Sequence, residues 1–335
     1  MTEQSKIPLP AEGKSLFERA EELFGFDGFA APPVPEGVAD AVVKRPSRKG
    51  ASPPAEPRPF DHTSALSEAP SPAIQVAEPA PEPELEAIRF SGSPKAIDRA
   101  RLAEQSLIQP EGKITALLEE FRIVKRQLLL SARAARRAGS GVRAQRVLVC
   151  SPLPGEGKTF CATNLALAIA AEKDSEVLLV DADFAKPSIL STLGLPAGRG
   201  LMDALADATI RVEECVIATD VPGLFVLPAG STTNSDSEYL ASARTAEVLD
   251  RLTQGAPNRM VIFDSPPALA ASPAAELAKH VGQALVVARA DMTGQSALED
   301  ALSLLSSCPD IKLLLNAVHF SPSGRRFGTY YGYGE

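Results

Sequence analysis

The residues best suited to chemistry form the run Ser151-Pro152-Leu153-Pro154-Gly155-Glu156-Gly157-Lys158-Thr159, directly after the apolar stretch 146–150. Where a loop of this kind opens a helix, its backbone N–H groups are unpaired and meet the positive end of the helix dipole, so they can cradle phosphate oxygens. Lys158 is then placed for the β/γ-phosphates of a nucleotide and the Thr159 hydroxyl for Mg²⁺. Pro154, Gly155, Glu156, Gly157, Lys158, Thr159 and Phe160 are accordingly the candidate cofactor-binding residues. The strict glycine pattern asks for glycine five residues before Gly157, where this chain has Pro152. Two further apolar runs, 177–180 and 260–263, end in acids: Asp181-Ala182-Asp183 and Asp264-Ser265-Pro266-Pro267. Ligands of open parallel sheets bind at the carboxyl ends of the strands, so Asp181, Asp183 and Asp264 are expected to converge on the phosphate loop. Mg²⁺ takes oxygen ligands and keeps several waters, which makes Thr159 with Asp181 and Asp264 a sufficient candidate set.

These residues need a scaffold, and the hydrophobic pattern supplies one. Apolar, β-rich runs at 146–150, 177–180, 224–227, 260–263, 284–287 and 311–315 alternate with helical patterns such as 159–171, 237–252 and 294–305. Near-continuous apolar strands separated by helices predict an α/β fold, a doubly wound, mostly parallel sheet with helices on both faces. Residues 96–108 and 113–137 read as helices separated by Gln109-Pro110-Glu111-Gly112. Residues 1–95 hold 16 of the 29 prolines and repeat Ala, Glu and Ser, a composition that predicts a disordered segment. Within it, Leu16, Phe17, Ala20, Leu23 and Phe24 share one face of a short amphipathic helix near 14–25, either a stub packed on the domain or a docking helix. The expected organisation is this segment, a domain over 96–320 and a flexible tail over 321–335.

The formal net charge is −8, with 15 acids against 10 bases in residues 1–95, so the remaining chain is nearly balanced. That balance argues against nucleic acid as a partner. Cys150, Cys161, Cys215 and Cys308 lack CxxC spacing and read as reduced core thiols. His62, His280 and His319 lack metal-ligand spacing. The start MTEQSKIPLP has no apolar signal core and no run reaches 18 apolar residues, which predicts a cytoplasmic protein. Arg133, Arg136, Arg137, Arg143 and Arg146 read as a solvated basic face that can alternatively contact nucleotide or an acidic activator, Tyr239 as packing, and Asn316 as a strand-end turn residue that can alternatively reach an adenine edge.

With these motifs in place, residues 96–335 resemble the bacterial tyrosine autokinases of capsular and exopolysaccharide synthesis, which have a P-loop NTPase-type fold. SPLPGEGKTF resembles the family's phosphate loop, DADFAKP its second acidic motif (with Ala185 at the usual Arg position) and IFDSPP its Walker B segment. Glu119, Arg122 and Lys125 resemble the ExxRxxR helix motif, which implies an oligomer interface and a ring. Tyr330, Tyr331 and Tyr333 resemble the C-terminal tyrosine cluster, which implies autophosphorylation there in trans. SLFERAEELF is similar to the N-terminus of the exosortase-associated subgroup. The resemblance implies ATP and Mg²⁺ as cofactors; Lys158, Asp181 and Asp183 are the candidate catalytic residues, Asp181 as acceptor of the tyrosine proton and Asp183 supporting metal waters or sharing that role. It also implies recruitment to the inner face of the membrane by a chain-length determinant protein that activates the kinase, and a phosphatase that resets it. Two other readings stay open: a positioning ATPase of partitioning type that phosphorylates nothing, and a catalytically weak scaffold of the polysaccharide machinery. Against the first, Leu153 stands where such ATPases carry a signature lysine.

Overall fold

Seven strands form one sheet in the computed structural model, which describes residues 87–231, 233 and 235–318. The strands are β1 (Arg146–Cys150), β2 (Glu176–Asp181), β3 (Ile217–Ala218), β4 (Leu224–Leu227), β5 (Arg259–Asp264), β6 (Gln283–Arg289) and β7 (Ile311–Asn316). Their order is β3-β4-β2-β5-β1-β6-β7, and all pairings are parallel except β3 with β4. The chain leaves β1, skips the place of β5 to form β2, and later fills the gap. This crossover opens the crevice in which α/β sheets bind ligands.

Among the described residues the α-helices are α1 (Arg99–Glu104), α2 (Ala116–Arg137), α3 (Lys158–Ala170), α4 (Ile189–Leu193), α5 (Leu201–Ala206), α6 (Asp236–Leu240), α7 (Ala243–Thr253), α8 (Pro273–Ala278) and α9 (Gln295–Leu304). Two apolar layers cover the sheet. One joins Leu148, Val180 and Phe263 to α5, α7 and α8; the other joins Val147, Val149 and Leu179 to α2 and α3. Buried on both faces, β1 and β5 contain no exposed residue, which is why their sequences run apolar without alternation. Helix α3 lies between sheet and α2 and is buried from Cys161 to Ala170. All four cysteines are free and buried, and burial raises the Cys150 and Cys161 thiols to about 12, so neither is a nucleophile at neutral pH.

Several elements depart from the sequence reading. The helix expected over 96–108 shrinks to α1, because Ser106 adopts a positive φ of 55° and the chain turns Leu107 and Ile108 into the core. The pattern 237–252 splits into α6 and α7. The Ser242 and Thr245 hydroxyls both donate to the Tyr239 carbonyl (2.7 and 2.9 Å), and such local bonds compete with helix continuation. Tyr239 is half-buried and packs against the core as expected. The short elements α4, α5, α8 and β3 carry too little periodicity to be read in advance. Arg146 corrects the basic-face reading: it is fully buried at the base of β1 and bonds Asp250 at 2.5 Å. Arg259, on the neighbouring strand, pairs with Glu176 at 2.9 Å and stacks 4.0 Å from the centre of the Phe90 ring. At the far edge, Leu313 and Leu315 of β7 are 56 and 60% exposed. Among the described residues no helix is long and apolar enough to cross a membrane. The helix expected near 14–25 and the tail 321–335 with its tyrosines lie outside the described residues.

The motif on α2 divides. Glu119 and Arg122 pair with each other on the outer surface, whereas Lys125 belongs to the inward stripe Phe121, Lys125, Leu128, Ala132. Its ammonium donates to the Ala168 carbonyl (2.8 Å) and pairs with Glu172 (2.7 Å) beside the C-terminal end of α3. A cation there meets the negative end of the α3 dipole. Lys125→Met keeps the stem and removes this clip, and is expected to cost about 2 kcal/mol of stability, read as a lower urea midpoint at unchanged m-value.

Candidate functional site

The phosphate loop leaves the carboxyl end of β1 and closes into α3. Gly157 occupies the left-handed region (φ 95°) immediately before Lys158, the first helical residue. A helix of thirteen residues, buried from Cys161 to Ala170, stands behind this N-terminus, so its unpaired donors are fixed in place. Parallel register sets Asp181 of β2 directly beside Asp264 of β5, and Val149 of β1 on the other side of Asp264. The Asp264-Ser265-Pro266-Pro267 segment then runs along the loop, the N–H groups of Ala268 and Leu269 donating to the carbonyls of Ser151 and Pro152 (2.8 and 3.2 Å).

Lys158, Thr159, Asp181, Asp183 and Asp264 come together. The Lys158 ammonium donates to Asp183 Oδ2 at 2.8 Å, and the Thr159 hydroxyl to Asp264 Oδ2 at 2.7 Å. Asp181 accepts the backbone N–H groups of Ser188 and Ile189 at the start of α4 (2.8 and 2.9 Å) and that of Asp183 (3.3 Å). Asp264 is fully buried and its Oδ1 has no hydrogen-bond partner. Burial raises its carboxyl to about 7, opposed by the charge of Lys158 and the bond from Thr159. Burial also raises Asp181, to about 6, against its three backbone donors. An orphaned carboxylate oxygen beside a threonine hydroxyl is an all-oxygen donor set, which fits a small hard cation such as Mg²⁺ with waters completing its shell. Among the described residues no group of three or more His, Cys, Asp or Glu side chains is arranged as a metal cage.

Glu156 holds its side chain in the loop rather than toward a ligand. One carboxylate oxygen accepts the Leu153 N–H (2.7 Å) and the other the hydroxyl of Thr293, which follows β6. The Asn316 amide, at the end of β7, donates to the Glu156 carbonyl (2.9 Å), and Arg289 to that of Gly155 (3.2 Å). Asn316 thus touches the phosphate loop. Arg289 and Thr293 went unread in the sequence, although both lie at or just past the carboxyl end of a parallel strand. An open cleft of about 840 Å³ at the opposite ends of the strands, lined by Phe90, Glu176 and Arg259, lies away from all these groups.

A parallel sheet whose central strand enters such a loop and helix defines a P-loop NTPase-type protein. No family model matches the chain. It is 32% identical over 164 residues to the tyrosine-protein kinase ptk of Acinetobacter johnsonii, covering 49% of this chain and 22% of that protein. It is 31% identical over 188 residues to the tyrosine-protein kinase YwqD of Bacillus subtilis, covering 56% of this chain and 76% of that protein. The kinase domain of the Escherichia coli tyrosine kinase ETK shares the fold, with TM-score 0.54, 22% identity, and coverage of 70% of this chain and 92% of that one. The chain spans about a quarter of the length of the larger curated relatives, ptk and the Salmonella typhi wzc kinase among them. This chain belongs to the bacterial tyrosine-protein kinase family.

The raised Asp264 carboxyl has a thermodynamic consequence. An unfolded chain releases this proton in the ordinary carboxylate range, so the stability it lends is present below about pH 4 and is lost as pH climbs toward about 7. In EDTA, Asp264→Asn should flatten this decline and exceed wild type by about 1–2 kcal/mol near pH 8, measured by urea denaturation at several pH values.

Proposed function

We propose that the protein transfers the γ-phosphoryl group of ATP to tyrosine hydroxyls. The observation that carries this reading is the convergence of Lys158 and Thr159 with Asp181, Asp183 and Asp264 in a member of this family. Phosphoryl transfer asks little covalent chemistry of the protein and much positioning and charge neutralisation. The loop N–H groups and Lys158 bind and orient the phosphates, Pro154 to Phe160 forming the cradle. Lys158 exchanges its Asp183 partner for phosphate, which frees Asp183 to bind metal waters or share the base role. Thr159, Asp264 and Asp181 would hold Mg²⁺, which when bound supplies neutralisation of the β/γ-phosphate charge. Asp181 accepts the proton of the incoming tyrosine hydroxyl, its carboxylate being held at the end of β2 by the Ser188 and Ile189 N–H groups.

The acceptors on this reading are Tyr330, Tyr331 and Tyr333 of a neighbouring copy, in a ring assembled through the outward part of the α2 motif, Glu119 and Arg122, Lys125 being turned inward. A membrane chain-length determinant protein recruits and activates the kinase at the inner face of the membrane, a phosphatase restores the tail, and the pathway served is exopolysaccharide synthesis and export. Each phosphate adds about −1.5 to −2 charges, and a modified tail is repelled by the aspartate cluster, which favours release.

Two measurements test this. Asp181→Asn should still bind ATP while lowering the transfer rate about 10²- to 10⁴-fold; transfer at the wild-type rate removes Asp181 from the base role. A Lys158→Met chain with an intact tail, mixed with an active chain truncated after Gly328, should acquire phosphotyrosine at Tyr330, Tyr331 or Tyr333. If wild type hydrolyses ATP without labelling tyrosine, the positioning-ATPase reading replaces this one.

A further inference from the structure

A loop that aims its N–H groups at phosphate must turn its carbonyls the other way, and those carbonyls need partners of their own. Without them a peptide unit is free to rotate and put oxygen, rather than N–H, into the cradle. In this chain the partners come from the side of the sheet opposite the aspartates. Arg289, the last residue of β6, donates to the Gly155 carbonyl (3.2 Å), and Asn316, its register partner at the end of β7, donates to the Glu156 carbonyl (2.9 Å). The Glu156 side chain, in a residue only 3% exposed, closes the back of the loop between the Leu153 N–H and the Thr293 hydroxyl. Thr293 is itself fixed, since its oxygen accepts the Arg289 N–H at 2.8 Å and its own N–H donates to the Arg289 carbonyl at 3.0 Å. The fit is close: a Cβ on Gly157 would lie 2.2 Å from the Asn316 amide nitrogen. The other end of the Asn316 amide accepts the Ala317 N–H at 2.9 Å, so the side chain is held from both sides.

We propose that Thr293 and Asn316, acting through Glu156, are positioning residues that hold the phosphate loop in its anion-binding shape. This rests on the nucleotide-binding part of the reading above and assigns Asn316 to the loop rather than to an adenine edge. Thr293 touches no phosphate on this account; it keeps the Glu156 carboxylate turned back on Leu153, and Asn316 keeps the Glu156 backbone carbonyl out of the cradle. The effect of losing either is therefore the same for any polyphosphate, whatever base it carries.

Equilibrium binding of Mg-ATP and of inorganic tripolyphosphate to the full chain, by titration calorimetry, tests this. Thr293→Val should weaken both ligands about tenfold, while Thr293→Ser, which restores the hydroxyl, should stay within about twofold of wild type. Asn316→Ala should weaken both ligands by similar factors. The proposal is overturned if Thr293→Val binds as wild type does, or if the Val and Ser variants are weakened alike. It is overturned for Asn316 if Asn316→Ala loses ATP affinity but keeps that for tripolyphosphate, the signature of a base contact. Wild type that binds neither ligand would remove the nucleotide reading and the clasp together. Absence of tyrosine transfer in a protein that does bind them would defeat the kinase reading alone.

Discussion

One electrostatic imbalance governs the site: three carboxylates gather at neighbouring strand ends with a single ammonium, Lys158, among them. Water would relieve such crowding at a surface, but Asp181, Asp183 and Asp264 are all buried. The chain settles the charge in three different ways. Asp183 takes the lysine, Asp181 takes three backbone donors, and Asp264 keeps one oxygen unsatisfied with a high proton affinity. The unsatisfied group is the one next to Thr159, so the least settled charge sits where a cation completes it. Stability is given up at the place where binding is gained.

That arrangement is affordable because the rest of the sheet is conservative. The two apolar layers fix β1, β5 and β2 in register, and register alone puts Asp181 beside Asp264. Positive charge is buried at the other end of the same strands. Arg146 and Arg259 each reach a half-exposed acid, Asp250 and Glu176, and each also donates to backbone carbonyls. Desolvation lowers the proton affinity of both guanidiniums, and the neighbouring Asp250 and Glu176 carboxylates oppose that shift. The strands thus carry acids at the ligand end and arginines at the base.

Much of this was legible beforehand. The six longer strands announce themselves because parallel strands covered on both faces read as unbroken Val, Ile and Leu, and the acids that end two of them must then meet the loop. What stayed hidden depends on partners remote in sequence. Nothing around Lys125 tells that its ammonium lies in the apolar stripe of α2, since that depends on the end of α3 and Glu172. Thr293 follows β6 in an ordinary turn, and only the folded chain brings it to Glu156, which itself looked like a ligand contact. Arg146 seemed one of five solvated arginines until β1 carried it inside.

The exposed leucines of β7 bear on how the molecule behaves in company. Among the described residues this strand pairs on one side only, with β6, and Leu313 and Leu315 stand open to solvent. An edge of that kind is a template onto which any extended chain can lay itself, including a second copy. Within Ile311–Asn316 the sole charge is Lys312, tied to Asp310. Lys312 is the one charge in this strand that opposes such pairing, because a strand docking on this edge must strip water from it.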